Sequence, residues 1–208
     1  MGVQPNGNAS GGNLHINAGA LMLTNGGLIK ASTQGQGDAG NIDIRSDRVD
    51  ISGSIPSNGL PSGLVTSSDT AGNAGAITID TQTFRIADGA VLSARSRGDG
   101  QGGAITVHAA RTFEAINGGQ LITTTFGQGQ AGNITVNAGE QITIAGSAPN
   151  YADRLTRFPN PVSPDVANAI RETGPASGLL ANTEPNSAGH GGNIQITTGR
   201  FTVEAGRN

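Results

Sequence analysis

The chain has 208 residues, a net charge of −3 and no cysteine. Its 34 glycines and 9 prolines make up a fifth of it, while aromatic residues reach only 3% and charged residues 13%. These values exclude a disulfide-stapled scaffold and the concentrated basic footprint of a nucleic-acid binder, and 35% apolar content suits a long thin core better than a round one.

The opening "MGVQPNGNAS" has neither a basic nor an apolar stretch, so no signal peptide is visible. No apolar run approaches the ~18 residues of a membrane span. The first patterned unit starts at Gly12-Asn13-Leu14-His15-Ile16. Apolar residues recur there at a spacing of two, in Leu14/Ile16, Leu21/Leu23 and Ile29/Ala31. That period is a strand with one face buried. The second unit repeats it from Gly40: Ile42/Ile44, Val49/Ile51, a short insertion "SIPSNGLPS", then Leu64/Thr66. The third, from Gly75, reads Ile77/Ile79, Phe84/Ile86 and Leu92/Ala94. The fourth, from Gly103, reads Ile105/Val107, Phe113/Ala115 and Leu121/Thr123. The fifth, from Gly132, reads Ile134/Val136 and Ile142/Ile144, then a long insertion over 148–176, then Leu179/Ala181. The sixth, from Gly192, holds Ile194/Ile196 and Phe201/Val203.

The anchor glycines are 28, 35, 28, 29 and 60 residues apart, a base period of 28 with two insertions. Three short strands cannot bury a face alone, but stacked coils can, with equivalent residues about 4.8 Å apart. The prediction is all-β: a right-handed parallel β-helix with three strands per coil and about five and a half coils, a single domain over 1–208. The glycines of "TNGG", "ADGA" and "INGG", and of the return turns "GQGDAG", "GDGQGG" and "GQGQAG", are expected to supply positive φ. "PNGNASGGN" (Pro5 to Asn13) matches "PNSAGHGGN" (Pro185 to Asn193), so the chain reads as a piece of a longer array, with end-to-end self-association of its open coils as the other reading.

The register orders the outward side chains as well. One row reads His15, Asp43, Thr78, Thr106, Thr135, Gln195; others hold Asp50, Arg85, Glu114 and Arg45, Asp80, His108. Opposite charges alternate and no two carboxylates are neighbours, so the rows read as cross-strand pairs on a wet face. A β-helix lyase or hydrolase acting on carbohydrate needs clustered carboxylates, and this alternative is weighed below the structural one. No catalytic residue is assigned, and the chain is read as not an enzyme. The histidines His15, His108 and His190 lie on different coils or faces, so no metal site is assigned. The nine-residue calcium repeat is absent. No cofactor is expected.

The insertions are the candidate binding surface, because both interrupt the turn between strands two and three. The long one holds the sole tyrosine and a cluster of cations: Tyr151, Arg154, Arg157, Phe158 and Arg171 are the candidate ligand-binding residues. "SPDVANAIRET" suggests a short helix with Ser163 as cap and Pro164 at its first position. The competing reading is a packing flap over the outward apolar residues Val65, Ile122 and Leu180.

The segments "GNAGAITIDT", "IADGAVLSARSRGDGQGGAITV", "FGQGQAGNITVNA" and "ISGSIPSNGLPSGLVTSS" resemble the repeat region of filamentous-haemagglutinin-like exoproteins, especially large cyanobacterial ones. The resemblance covers nearly the whole chain outside 151–173, and the "PSGL" after the short insertion sharpens it. It implies a right-handed β-helix, two-partner secretion through an outer-membrane partner, and a place on the outer surface of a Gram-negative-type bacterium. It also implies an adhesin with a glycan or cell-surface ligand. The family's amino-terminal secretion domain is not recognisable here. A passive spacer or interaction scaffold is the remaining alternative.

Overall fold

The computed structural model describes residues 1–3, 9–157, 174–184 and 187–205. Among them the chain is nearly all strand, and every ladder between named strands is parallel. One six-stranded sheet holds long strands: β2 (Leu14–Leu23), β4 (Ile42–Ser52), β6 (Ile77–Ala87), β8 (Ile105–Ile116), β10 (Ile134–Ala145) and β12 (Ile194–Glu204). The other holds short ones: β1 (Gly2–Val3), β3 (Leu28–Ala31), β5 (Gly63–Ser68), β7 (Val91–Ser96), β9 (Gln120–Thr125) and β11 (Gly178–Thr183). The order within each sheet follows the chain, long and short strands alternating in sequence, which is the organisation of a parallel solenoid.

The first two predicted strands of each coil run together as one long strand. Their boundary survives as a lapse in pairing, between Ser46 and Arg48 in β4, Thr81 and Thr83 in β6, and Ala138 and Gln141 in β10. That corner has one residue in β6 but two in β8, where Thr81 faces Ala109 and Thr83 faces Thr112. The extra residue is why the fourth coil is 29 residues long and the third 28.

The predicted inward ladders are the core. Ile42, Ile77, Ile105 and Ile134 lie in register and are sealed from solvent, as are Leu64, Leu92 and Leu121 on the opposite sheet. Each such side chain contributes roughly 1.5–3 kcal/mol by leaving water. Phe84 and Phe113 stack at the same level, ring centroids 5.1 Å apart and 12° from parallel. The inward threonines are satisfied internally: Thr66 Oγ1 donates to Gly75 O at 2.5 Å, and Thr123 Oγ1 to Gly132 O at 2.6 Å.

The glycines divide into two uses, and one corrects the expectation from sequence. At the turn from long to short strand, Asn-Gly or Asp-Gly pairs take positive φ, as in Asn117 (50°) and Gly118 (83°). This is the type I′ pattern. Among the described residues none of the return-turn glycines has positive φ. There a side chain is excluded by the neighbouring coil: a Cβ on Gly103 would run into the carbonyl of Gly75, and one on Gly132 into that of Gly103. Close backbone stacking, not left-handed φ, fixes the anchor glycine.

Side-chain carboxamides brace the same turn. Asn13 Oδ1 accepts from Asn41 N at 2.9 Å, Asn41 Oδ1 from Ala76 N at 2.8 Å, and Asn133 Oδ1 from Asn193 N at 2.8 Å. A second row beside it runs from Asp38 Oδ1 to Asn73 N and from Asn73 Oδ1 to Gln101 N.

Candidate functional site

The two insertions leave the coil through the same neck. Gly53 and Gly146 turn the chain out with φ of 74° and 78°. The next residues form antiparallel bridges, Ser54 with Pro61 and Ser147 with Ala176. The chain returns on a serine: Ser62 Oγ donates to Ser52 O and accepts from Gly26 N, and Ser177 Oγ donates to Ala145 O and accepts from Gly118 N, all within 2.6–2.9 Å. The repeated Gly-Ser … Ser-Gly-Leu is therefore a stem that pins an insertion to the coil before it. This gives the "PSGL" segment its physical role.

Beyond the neck of the long insertion, Tyr151–Thr156 form a short helix, α1. This is upstream of the helix expected from Ser163, which lies outside the described residues along with Phe158 and Arg171. The helix starts after Asn150, which sits at φ 54°. From coil five it reaches back to the first insertion. Arg154 is 4% exposed, and its Nε donates to Gly59 O at 2.7 Å. Its guanidinium occupies the space that a side chain at Gly89 would need. Arg157 Nη1 donates to Pro56 O at 2.7 Å, and its Nε to Asp153 O at 3.2 Å. So one turn of helix ties coil five to coil two across the turns of coils three and four.

Its apolar side closes a slot. Tyr151 and Leu155 of the helix, with Leu60 of the first insertion, pack on Val65, Val91 and Ile122 of the short-strand sheet, with Leu28 and Leu180 at the margins. Burial raises the Tyr151 phenol above its ordinary value, against the opposing pull of the Arg154 cation. Burial pushes Arg154 down to about 10, with Tyr151 opposing and Arg157 assisting, so Arg154 remains a cation at neutral pH. Of the five candidate ligand-binding residues, the structure brings Tyr151, Arg154 and Arg157 together and directs both arginines at backbone carbonyls within the protein.

The short-strand sheet carries a further buried set that the alternation hid. Ser67, Arg95 and Thr124 share an outward row and are at most 2% exposed. Arg95 lies 4.8 Å over the Phe126 ring and 3.7 Å from Glu184. The buried arginine carried no signal in the sequence.

The long-strand sheet is the open surface. His15 Nδ1 meets Asp43 Oδ2 at 3.1 Å and Arg45 Nε meets Asp80 Oδ2 at 3.8 Å, with most of these side chains in solvent. Asp50 joins Arg85 at 3.1 Å and Arg48 at 3.0 Å, and Asn137 joins His108 at 3.0 Å. A cavity of about 380 Å³ is lined by His15, Asp43, Arg45, Thr78 and Asp80, and it adjoins one of about 480 Å³ that shares Asn17, Arg45 and Asp80. The groove presents paired charges and hydroxyls, with no aromatic wall. Among the described residues no three His, Cys, Asp or Glu side chains group to hold a metal ion, and no helix is long and apolar enough to cross a membrane.

No family model matches the chain, and neither does any curated protein or solved structure.

Proposed function

We propose that this chain is a structural and adhesive segment of a large exported surface protein of the filamentous-haemagglutinin-like kind, non-catalytic, wound as a right-handed β-helix of about five and a half coils. The observation that carries the reading is the in-register parallel ladder from β2 to β12, in which one sequence unit is reused to build a rod. A rod of this kind sets surfaces at a distance, and its outward rows are paired with one another instead of being focused on one reacting centre. Export through an outer-membrane partner and display on the outer surface of a Gram-negative-type bacterium follow from the same resemblance. The chain's lack of cysteine suits such a route.

The adhesive part assigns a glycan as ligand, with two possible seats. One is the stretch of the long insertion that holds Phe158 and Arg171; the other is the groove along His15, Asp43, Arg45 and Asp80. The test is a glycan array probed with the wild-type chain, with Phe158→Ala/Arg171→Ala, and with Arg45→Ala/Asp80→Ala. Loss in one variant locates the seat. Absence of binding by folded wild-type protein overturns the adhesive part and leaves a spacer.

A further inference from the structure

The position after each anchor glycine is asparagine in coils one, two, five and six, but Ala76 in coil three and Ala104 in coil four. The carboxamide has a fixed use in the stack. Asn13 Oδ1 accepts from Asn41 N, Asn41 Oδ1 from Ala76 N and Asn133 Oδ1 from Asn193 N, so each asparagine satisfies the N–H of the coil that follows. Alanine has no such oxygen. By the same register Ala104 N faces the Ala76 methyl and Asn133 N faces the Ala104 methyl, and among the described residues neither N–H has an acceptor. Two donors that the repeat elsewhere pairs within the protein are left open here, one strand spacing or about 4.8 Å apart.

A trough of about 430 Å³ is lined by both alanines. Asn41 and Asn133 stand at its ends, three coil spacings or about 14 Å from each other. Asn73, Gln101 and Gln130 form its side. The volume falls in the range of small-ligand sites, roughly 300–1,000 Å³.

Its chemistry is rich in donors and carries no positive charge. Oδ1 of Asn41, Asn73 and Asn133 is taken by a backbone N–H, which leaves each Nδ2 group free of that bond. Gln101, one methylene longer than Asn73, makes no equivalent bond, and Gln130 N has no acceptor among the described residues. The return turns 35–40, 70–75, 98–103 and 127–132 hold two charges, Asp38 and Asp99, both carboxylates. They repel an anion, and a cation would meet donors where it needs acceptors. A hydroxyl group must donate as well as accept, so it is only half served. The carbonyl oxygen of an acetamido group only accepts, and the N–H of that group is left for a glutamine Oε1.

We propose that this trough binds a neutral glycan bearing acetamido groups, whose carbonyl oxygens take the N–H groups of Ala104 and Asn133 in place of the two missing carboxamides. The glycan class rests on the adhesive reading. The seat is a third one, apart from the long insertion and from the groove at Arg45 and Asp80.

The test is calorimetric titration of the full chain with the tetramer of N-acetylglucosamine, the glucose tetramer of the same linkage and the tetramer of galacturonic acid. The key variant is Ala76→Asn/Ala104→Asn. It restores the side chain that four coils already carry, so the fold is kept while both N–H groups regain an internal acceptor. Wild type is expected to bind the acetylated tetramer. The double variant is expected to bind it on the order of tenfold more weakly, or not at all, for the loss of two hydrogen bonds. Phe158→Ala/Arg171→Ala and Arg45→Ala/Asp80→Ala should bind it as wild type does. Undiminished binding by the asparagine double variant, tighter binding of either other tetramer, or loss in one of the two control variants overturns the proposal. So does a wild type that does not bind the acetylated tetramer. If the glycan array then still finds another ligand, this seat falls alone; if the array is blank, the adhesive reading falls with it. Amide exchange reads the geometry without a ligand. The N–H groups of Ala104 and Asn133 should exchange quickly while those of Ala76 and Asn193 are protected, and in the double variant positions 104 and 133 should become protected too. Equal protection at all four in wild type overturns the proposal.

Discussion

The two sheets are built from the same repeat, yet their outer faces have opposite fates. On the long-strand sheet, outward residues such as His15, Asp43, Arg45 and Asp80 stand in water and pair along the ladder. On the short-strand sheet every residue of β5, β7 and β9 is buried, inward and outward alike. Strand pairing is equally regular in both. What differs is cover: both insertions leave at the turn before the short strand, and Leu60, Tyr151 and Leu155 come down on that side. A solenoid thus gains a second, smaller core wherever its insertions share a corner.

The strongest way to break this contrast is to empty the second core. Ile122 is fully buried on the covered face, and Ile122→Ala is expected to cost about 2–5 kcal/mol, as for a conventional core residue. Thr106→Ala, at an outward position on the open sheet, is expected to stay within about 0.5 kcal/mol. Urea unfolding of both variants checks the difference; equal small effects would mean that the cover contributes no packing.

Next in size is the tie that holds the cover down. Arg154→Ala removes a hydrogen bond from a buried cation to Gly59 O, expected to cost about 1.5–3 kcal/mol. The loss should be local: amide exchange should quicken at α1 and around Gly59 while β8 and β10 keep their protection, because a solenoid couples mainly to nearest neighbours. Faster exchange throughout the chain would contradict that.

How far the sequence reached follows the same division. The inward ladders, the register and the corners were legible because period-two alternation and the anchor glycine are local signals repeated coil after coil. The return-turn glycines were found but explained wrongly, since the carbonyl that excludes a side chain at Gly103 belongs to a residue 28 positions earlier. The apolar slot at Val65 and Ile122 could be read as needing a flap. That Arg154 would reach Gly59, 95 residues away, could not. Nor could the burial of Arg95, whose neighbours Phe126 and Glu184 belong to later coils and follow no period of their own. The one available sign was the shared Gly-Ser … Ser-Gly-Leu neck, which marks both insertions as leaving from one corner.

The cover can also be followed by pH. The chain has one tyrosine and no tryptophan, so ultraviolet absorbance reports Tyr151 alone. Its phenol is raised first by burial, so the folded state favours the protonated form. The stability it contributes is intact below the ordinary phenol pKa and is lost as pH climbs through the raised folded value. Arg154 acts in the opposite sense: its lowered value means that the fold gains as that cation deprotonates from about 10 upward. Tyrosinate should therefore appear at higher pH in the native chain than in the chain unfolded in urea. Coincident native and unfolded titrations would place Tyr151 in water, outside the slot.

The smallest effect separates the faces by salt. Arg111 Nε and Glu140 Oε1 meet at 3.1 Å on the open sheet, with side chains 61% and 56% exposed. Two long side chains in water gain little from each other, so a double-mutant cycle to alanine should give a coupling of about 0.2–1 kcal/mol in low salt. Screening shortens to about 3 Å at molar ionic strength, and the coupling should fall toward zero there. Arg95 and Glu184 are 3.7 Å apart, with side chains only 2% and 12% exposed, so mobile ions have little access to the space between them. Their coupling should change far less over the same salt range, even though the closer pair is the exposed one. Equal salt sensitivity would mean that Arg95 is solvated, and the contrast between the two faces would then reduce to the apolar slot alone.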